Sequence, residues 1–238
     1  MDARYEGLIR IPEIGTAGFA KLQSAAVLVV GAGGLGCTAL SCLAGLGVGA
    51  IRVADRDRVE RNNLDRQFLY AERDVGRFKA EAAAERLREM NAGVSLDARA
   101  CEFNEETAAD LLKGVTLAMA AVDNRETRLV MNRLCAAAGV PLINGGVRGL
   151  LGSVQQVRPD GGACLACVGM DGSEGEPIPS PASVVAWTAS VMAQCALLTI
   201  LGEDETIRST LFYLDGRTLA AERVPLQRAE NCPVCGGK

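Results

Sequence analysis

The sequence predicts an α/β fold: a Rossmann-like, mostly parallel sheet with helices on both faces, followed by C-terminal strands and a four-cysteine zinc site. Three observations carry this expectation. The apolar run Ala26-Val27-Leu28-Val29-Val30 ends in a glycine-rich turn, Gly31-Ala32-Gly33-Gly34-Leu35-Gly36. Strand-like and helix-like segments then alternate as far as residue 143, the pattern of a parallel sheet with crossover helices. Two Cys-x-x-Cys pairs, Cys164 with Cys167 and Cys232 with Cys235, stand far apart in the chain.

Each element has a local reason. Residues 26–30 are continuously apolar, as a strand buried on both faces must be. Residues 35–46 place small and apolar side chains at helical spacing. Residues 51–54 form a second strand that stops at Asp55. Residues 79–90 are rich in Ala, Glu and Arg and read as a helix. Residues 96–101 alternate like a strand, and the apolar 115–122 end at Asp123-Asn124. A helix over 125–138 stops at Gly139, a C-terminal cap signal, before a strand at 140–143. Beyond Gly145 come strands at 152–157, 210–214 and 219–224, and a long apolar helix at 184–201 holding the one tryptophan, Trp187. Residues 169–181, with three prolines and three glycines, read as a mobile loop within a single domain spanning 1–238.

Composition narrows the function. Net charge is −4 and the isoelectric point near 5.1, which argues against nucleic acid as the main partner. No apolar run is expected to reach the roughly 18 residues of a membrane span. No signal-peptide core follows Met1. With nine cysteines, an odd number, reduced thiols in the cytoplasm are expected. There is no histidine, so the usual neutral-pH general base is absent. Chemistry that rests on positioning and charge neutralisation, such as nucleotidyl transfer, remains open.

The glycine turn brings backbone N–H groups and a helix N-terminus to a phosphate. Asp55, 19 residues past Gly36, stands close to the spacing of a ribose-binding carboxylate. On these residues alone, an NAD-dependent oxidoreductase is one reading. The two cysteine pairs match the tetrahedral Cys₄ set of structural zinc, whose four protein ligands leave no position for water. Two separate dithiols, or plain buried cysteines, are the other readings of those residues.

Taken in order, the glycine turn, Asp55-Arg56-Asp57, Asn63-Leu64-Asp65-Arg66-Gln67, Gly76-Arg77-Phe78-Lys79 and Asp123-Asn124 resemble the MoeB/ThiF/HesA family, bacterial relatives of ubiquitin-activating enzymes. The opening Arg4-Tyr5, both cysteine pairs and the ending Cys232-Pro233-Val234-Cys235-Gly236-Gly237 fit the same pattern, so the resemblance covers nearly the whole chain. It implies ATP-dependent adenylation of the C-terminal glycine carboxylate of a small ubiquitin-like sulfur-carrier protein ending in Gly-Gly, with release of pyrophosphate. Gly31, Gly33, Gly34 and Gly36 would carry the phosphates, and Asp55 the ribose. Asp57, Asn63 and Gln67 would line the nucleotide pocket. Arg66 and Lys79 would neutralise the triphosphate, and Asp123 would hold Mg²⁺. A cytoplasmic homodimer is implied as well. A non-catalytic binder of ubiquitin-like tails is the remaining alternative.

Two departures from the family pattern stand out. Relatives begin Arg-Tyr-x-Arg-Gln, and their second arginine reaches the partner subunit's ATP; here that position is Gly7, with Arg4 and Arg10 as possible substitutes. Family members that carry an acceptor cysteine have it in the loop where residues 174–186 have none. The expectation is therefore adenylation without an acceptor cysteine, the acyl-adenylate passing to a separate sulfur donor.

Overall fold

Along the first strand, Val27 and Val29 enter one apolar core while Leu28 and Val30 enter another. A strand buried on both faces belongs at the centre of a sheet covered by helices. The computed structural model, which describes residues 3–169 and 178–236, has that arrangement. Strands β1 (Ala26–Val30), β2 (Ala50–Ala54), β3 (Ser95–Arg99), β4 (Leu117–Ala120), β5 (Leu142–Arg148), β6 (Leu151–Val157), β7 (Thr210–Asp215) and β8 (Ala220–Pro225) form one sheet in the order β3-β2-β1-β4-β5-β6-β7-β8. The first five pair in parallel, and β5 through β8 pair antiparallel.

One core packs the sheet against α2 (Gly15–Ser24), α3 (Gly34–Leu46), α4 (Lys79–Met90) and α7 (Ala182–Leu201). The other packs it against α5 (Ala108–Leu111), α6 (Arg125–Ala138) and the two cysteine pairs. The short α1 (Glu6–Ile9) lies at the start of the chain. The expected strands and helices all form, with ends shifted by a few residues.

β5 runs to Arg148, well past the end expected at 143. Gly145 and Gly146 weaken a strand by propensity, but packing requires the first of them. A Cβ on Gly145 would lie 2.1 Å from the Met192 sulfur of α7. α7 itself corrects the expectation about apolar runs: its 20 residues are long and apolar enough to cross a membrane. Val185, Ala189, Met192 and Ala196 of this helix are buried in the core against the sheet, which accounts for its apolarity in a helix of a globular domain. Of the loop expected at 169–181, residues 170–177 lie outside the described residues.

Candidate active site

The chain leaves β1, crosses through α3 to β2 on one side, and later returns to place β4 on the other side of β1. In an open α/β sheet this reversal leaves a crevice at the carboxyl ends of the strands. A cleft of about 740 Å³ lies there, within the usual range for a small-molecule site. Its wall includes Gly31, Gly33, Gly34, Asp55, Asp57, Arg66, Gln67, Lys79 and Asp123, residues brought together from five separate stretches of chain.

At Gly31 and Gly36 the glycine turn has no room for a side chain. Gly31 has φ +90°, and a Cβ there would sit 2.6 Å from the Ala121 carbonyl oxygen. Its N–H donates to the Ala54 carbonyl at 2.9 Å, so the turn is wedged between the ends of β2 and β4. Gly36 lies off the cleft wall. A Cβ on it would come within 2.0 Å of the Gly31 carbonyl oxygen, so its bareness lets α3 start directly against the turn.

Asp55 braces that turn. One carboxylate oxygen accepts the Ala32 N–H at 2.7 Å and the other accepts the Asp57 N–H at 2.7 Å. Burial raises the Asp55 carboxyl above its ordinary range, while those N–H groups and the Lys79 ammonium pull it back. Lys79 opens α4, where a cation opposes the helix dipole. Its Nζ is compensated by the Asp57 carboxylate at 3.1 Å. The buried Tyr70 hydroxyl donates to the Ala32 carbonyl at 2.7 Å and fixes the turn from below.

Arg66 donates to Asp65 at 2.7 Å and to the Asn62 carbonyl at 3.0 Å. Its neighbour Gln67 is 4% exposed, and its Oε1 has no hydrogen-bond partner. A buried amide oxygen without a partner in a cleft is suited to a ligand's donor group. Asn63 is also off the wall: its Oδ1 accepts the Glu60 N–H at 3.2 Å and holds the turn that presents Arg66. Asp123 is exposed on the wall, and Asn124 caps α6 by accepting the Thr127 N–H at 2.8 Å.

Several wall residues escaped the sequence reading. Arg56 is paired with Glu102 at 2.9 Å. Phe103 and Arg148 reach the cleft from the loop after β3 and from the end of β5. Arg128 is buried; it donates to the Asn144 side chain at 2.8 Å and to the Val122 and Gly145 carbonyls, tying the segment before Asp123 to β5. Only its helical spacing from Asn124 hinted at this role.

On the second face, all four thiol sulfurs of Cys164, Cys167, Cys232 and Cys235 lie within 4.8 Å of one another. Neighbouring sulfurs are 3.4, 3.5 and 3.9 Å apart. Four sulfurs about 2.3 Å from a central zinc would stand about 3.8 Å apart, so the cluster fits that ion. The Ala229 N–H points to the Cys167 sulfur at 3.4 Å, the kind of outer-sphere donor that orients a metal ligand. Elsewhere, burial pushes the Cys37, Cys135 and Cys195 thiols up to about 12, so they are poor nucleophiles at neutral pH.

Comparison with known proteins agrees with this geometry. Residues 5–234 match the ThiF family. The chain is 35% identical to the SAMP-activating enzyme E1 of Haloferax volcanii, over 98% of this chain and 88% of that one. It is 33% identical to the sulfur carrier protein ThiS adenylyltransferase of Escherichia coli, over 98% of this chain and 95% of that one. A solved structure of E. coli MccB with ATP superposes with a TM-score of 0.80 at 25% identity, covering 92% of this chain and 68% of the other.

Proposed function

The chain belongs to the ThiF family, and from that premise we propose that it is an adenylyltransferase that activates the C-terminal glycine carboxylate of a ubiquitin-like sulfur-carrier protein. The observation that carries this reading is the cleft at the strand switch point. It joins the glycine turn, Asp55, Arg66, Gln67, Lys79 and Asp123, while the relatives are named as activating enzymes of this class.

In this reading ATP lies along the glycine turn with its ribose near Asp55. The carrier's carboxylate oxygen attacks the α-phosphorus, the bond from that phosphorus to the bridging β-oxygen breaks, and pyrophosphate leaves. The nucleophile arrives already deprotonated, so a chain without histidine lacks nothing the step requires. Arg66 and Lys79 exchange their carboxylate partners for the phosphates and spread the charge of the leaving group. Asp123 is the residue for Mg²⁺, which would neutralise phosphate oxygens when bound.

The Cys₄ cluster is read as structural zinc that closes the C-terminal segment over α6. The chain is read as one domain and as a cytoplasmic homodimer; sedimentation at micromolar concentration tests the dimer. Activation is read as ending at the acyl-adenylate, with sulfur supplied by a separate donor protein. Gly7 is the observation that favours the alternative of a tail-binding chain without catalysis. ATP–pyrophosphate exchange in the presence of small proteins ending in Gly-Gly separates the two, because the binder gives none. Stabilisation against heat by NAD and not by ATP would instead indicate a dinucleotide enzyme.

A further inference from the structure

The cations that line the cleft are Arg56, Arg66, Lys79, Arg128 and Arg148. Four of them are committed. Arg56 faces Glu102, Arg66 faces Asp65, and Lys79 faces Asp57. Arg128 is buried among the carbonyls that it ties together. Among the described residues, the Arg148 side chain makes no hydrogen bond or ion pair, and the residue is exposed. An arginine lining a cleft without a side-chain partner among the described residues has donors to offer a ligand.

Its position separates it from the phosphate end of the cleft. β5 pairs with β4 as far as Asn144 opposite Ala120, the level at which the glycine turn and Asp55 close the cleft. Arg148 lies four residues farther along β5, opposite Leu151 of β6. At about 3.3 Å per residue its Cα stands about 13 Å out from that level. The wall near it is apolar, with Val147, Ile178 and Pro179, and Gly149 N–H contacts the Ile178 carbonyl at 3.4 Å. Nearer the glycine turn, Arg66 and Lys79 already supply charge for phosphates. A polypeptide whose terminal carboxylate reaches the turn would find along this wall apolar surface and one uncommitted cation.

We propose that Arg148 is a specificity-determining residue. Its guanidinium holds main-chain carbonyls of the incoming polypeptide about four residues before the terminal carboxylate, a distance set by the reach of extended chain. The assignment rests on the adenylation reading above. The planar fork of five N–H donors suits two successive carbonyl oxygens better than the point charge of a lysine.

The test compares two probes: an octapeptide acid of alanines ending in Gly-Gly, and the tripeptide acid Ala-Gly-Gly. Each is titrated by chemical shift into the full chain saturated with α,β-methylene-ATP. Arg148→Ala is expected to weaken the octapeptide about tenfold, the scale of one charge-assisted hydrogen bond. The tripeptide, too short to reach Arg148, is expected to change less than twofold. Arg148→Lys should recover part of the octapeptide's loss. Analogue affinity in each variant reports that the cleft is intact. Equal losses for both peptides, or a loss of analogue affinity, would overturn the assignment in favour of a phosphate or shape role. An unchanged octapeptide would overturn it by showing that the tail takes another path. Failure of the unaltered chain to bind either peptide would remove the adenylation reading, and this assignment with it.

Discussion

Asp55 and Asp123 are both cleft carboxylates, but their surroundings set different consequences for losing them. Asp55 accepts two backbone N–H groups of the loops it braces. Asp55→Ala should therefore weaken ATP binding and also cost about 1–3 kcal/mol of stability, because the buried Ala32 N–H loses its acceptor. Asp123 is exposed, so Asp123→Ala should leave stability within about 0.5 kcal/mol and abolish adenylate formation. Melting curves beside pyrophosphate exchange check both, and an active Asp123→Ala chain would remove that residue from the mechanism. Gly7 provides a test in the direction of gain. It is exposed on α1, and a Cβ there would meet nothing within 4 Å. Gly7→Arg should fold at least as well, since arginine is the better helix former by about 0.8–1 kcal/mol. It should also raise the exchange rate if a second subunit presents it to the nucleotide. An unchanged rate would mean that another cation serves; Arg4 is already engaged with the Met90 carbonyl at 2.9 Å. For Cys195, buried with its thiol pushed up to about 12, Cys195→Ala should leave adenylation of the carrier unchanged. An ATP-dependent, thiol-sensitive adduct with the carrier that this variant abolishes would reverse the reading of a chain without an acceptor cysteine.

At the level of elements, the contact between α3 and the glycine turn is the most exacting. Gly36→Ala would set a methyl group 2.0 Å from the Gly31 carbonyl oxygen, so backbone would have to shift. Overpacking of this kind costs about 1–3 kcal/mol, or several degrees of melting temperature for a chain this size. Nucleotide affinity should fall with it, because the N-terminus of α3 lines the cleft at Gly34 and Leu35. Wild-type stability and affinity in this variant would show that α3 can slide, and would detach Gly36 from the site. α2 shows why some elements were not legible. Its sequence carries Gly15 and Gly18, poor helix residues, and the helix forms because it packs on α7. A Cβ on Gly18 would already press on Leu201 at 2.9 Å, and Lys21 donates to the Leu201 carbonyl at the end of α7, where a cation complements the helix dipole. Such tertiary support overrides propensity.

Across the whole molecule, the cysteine cluster joins segments that are 68 residues apart. Cys164, Leu165 and Cys232 share a core with Met131 and Cys135 of α6, the helix whose first turns carry Thr127 and Arg128 at the cleft. Leu165 N–H also donates to Asn132 of α6 at 3.1 Å. Zinc in such sites binds with an apparent free energy of about 10–16 kcal/mol at neutral pH. Stripping it with a strong chelator should therefore loosen the C-terminal segment first and weaken nucleotide binding second, through α6. Elemental analysis should give about one zinc per chain, and a metal-free chain of undiminished stability would refute the structural assignment.

The sequence by itself determined the local vocabulary of this protein. Strands at 26–30 and 51–54 and helices at 79–90 and 125–138 are written in apolar periodicity, in Ala and Glu content, and in Gly139 as a stop, because these depend on neighbours along the chain. The glycine turn and Asp55 at the cleft, and the clustering of the cysteine pairs, were legible for the same reason: each is carried by a short spacing along the chain. Tertiary structure alone decided the rest. The order β3-β2-β1-β4 creates the crevice, and no local pattern encodes which strands become neighbours. Arg128 and Arg148 reach the cleft only because β5 outruns β4 and lies beside α6. Gly36 and Asn63, both in the motifs, turned out to shape the wall without lining it. Whether a residue of the right type touches a ligand or holds the one that does depends on where its side chain meets others in space, and that is fixed by packing between distant segments.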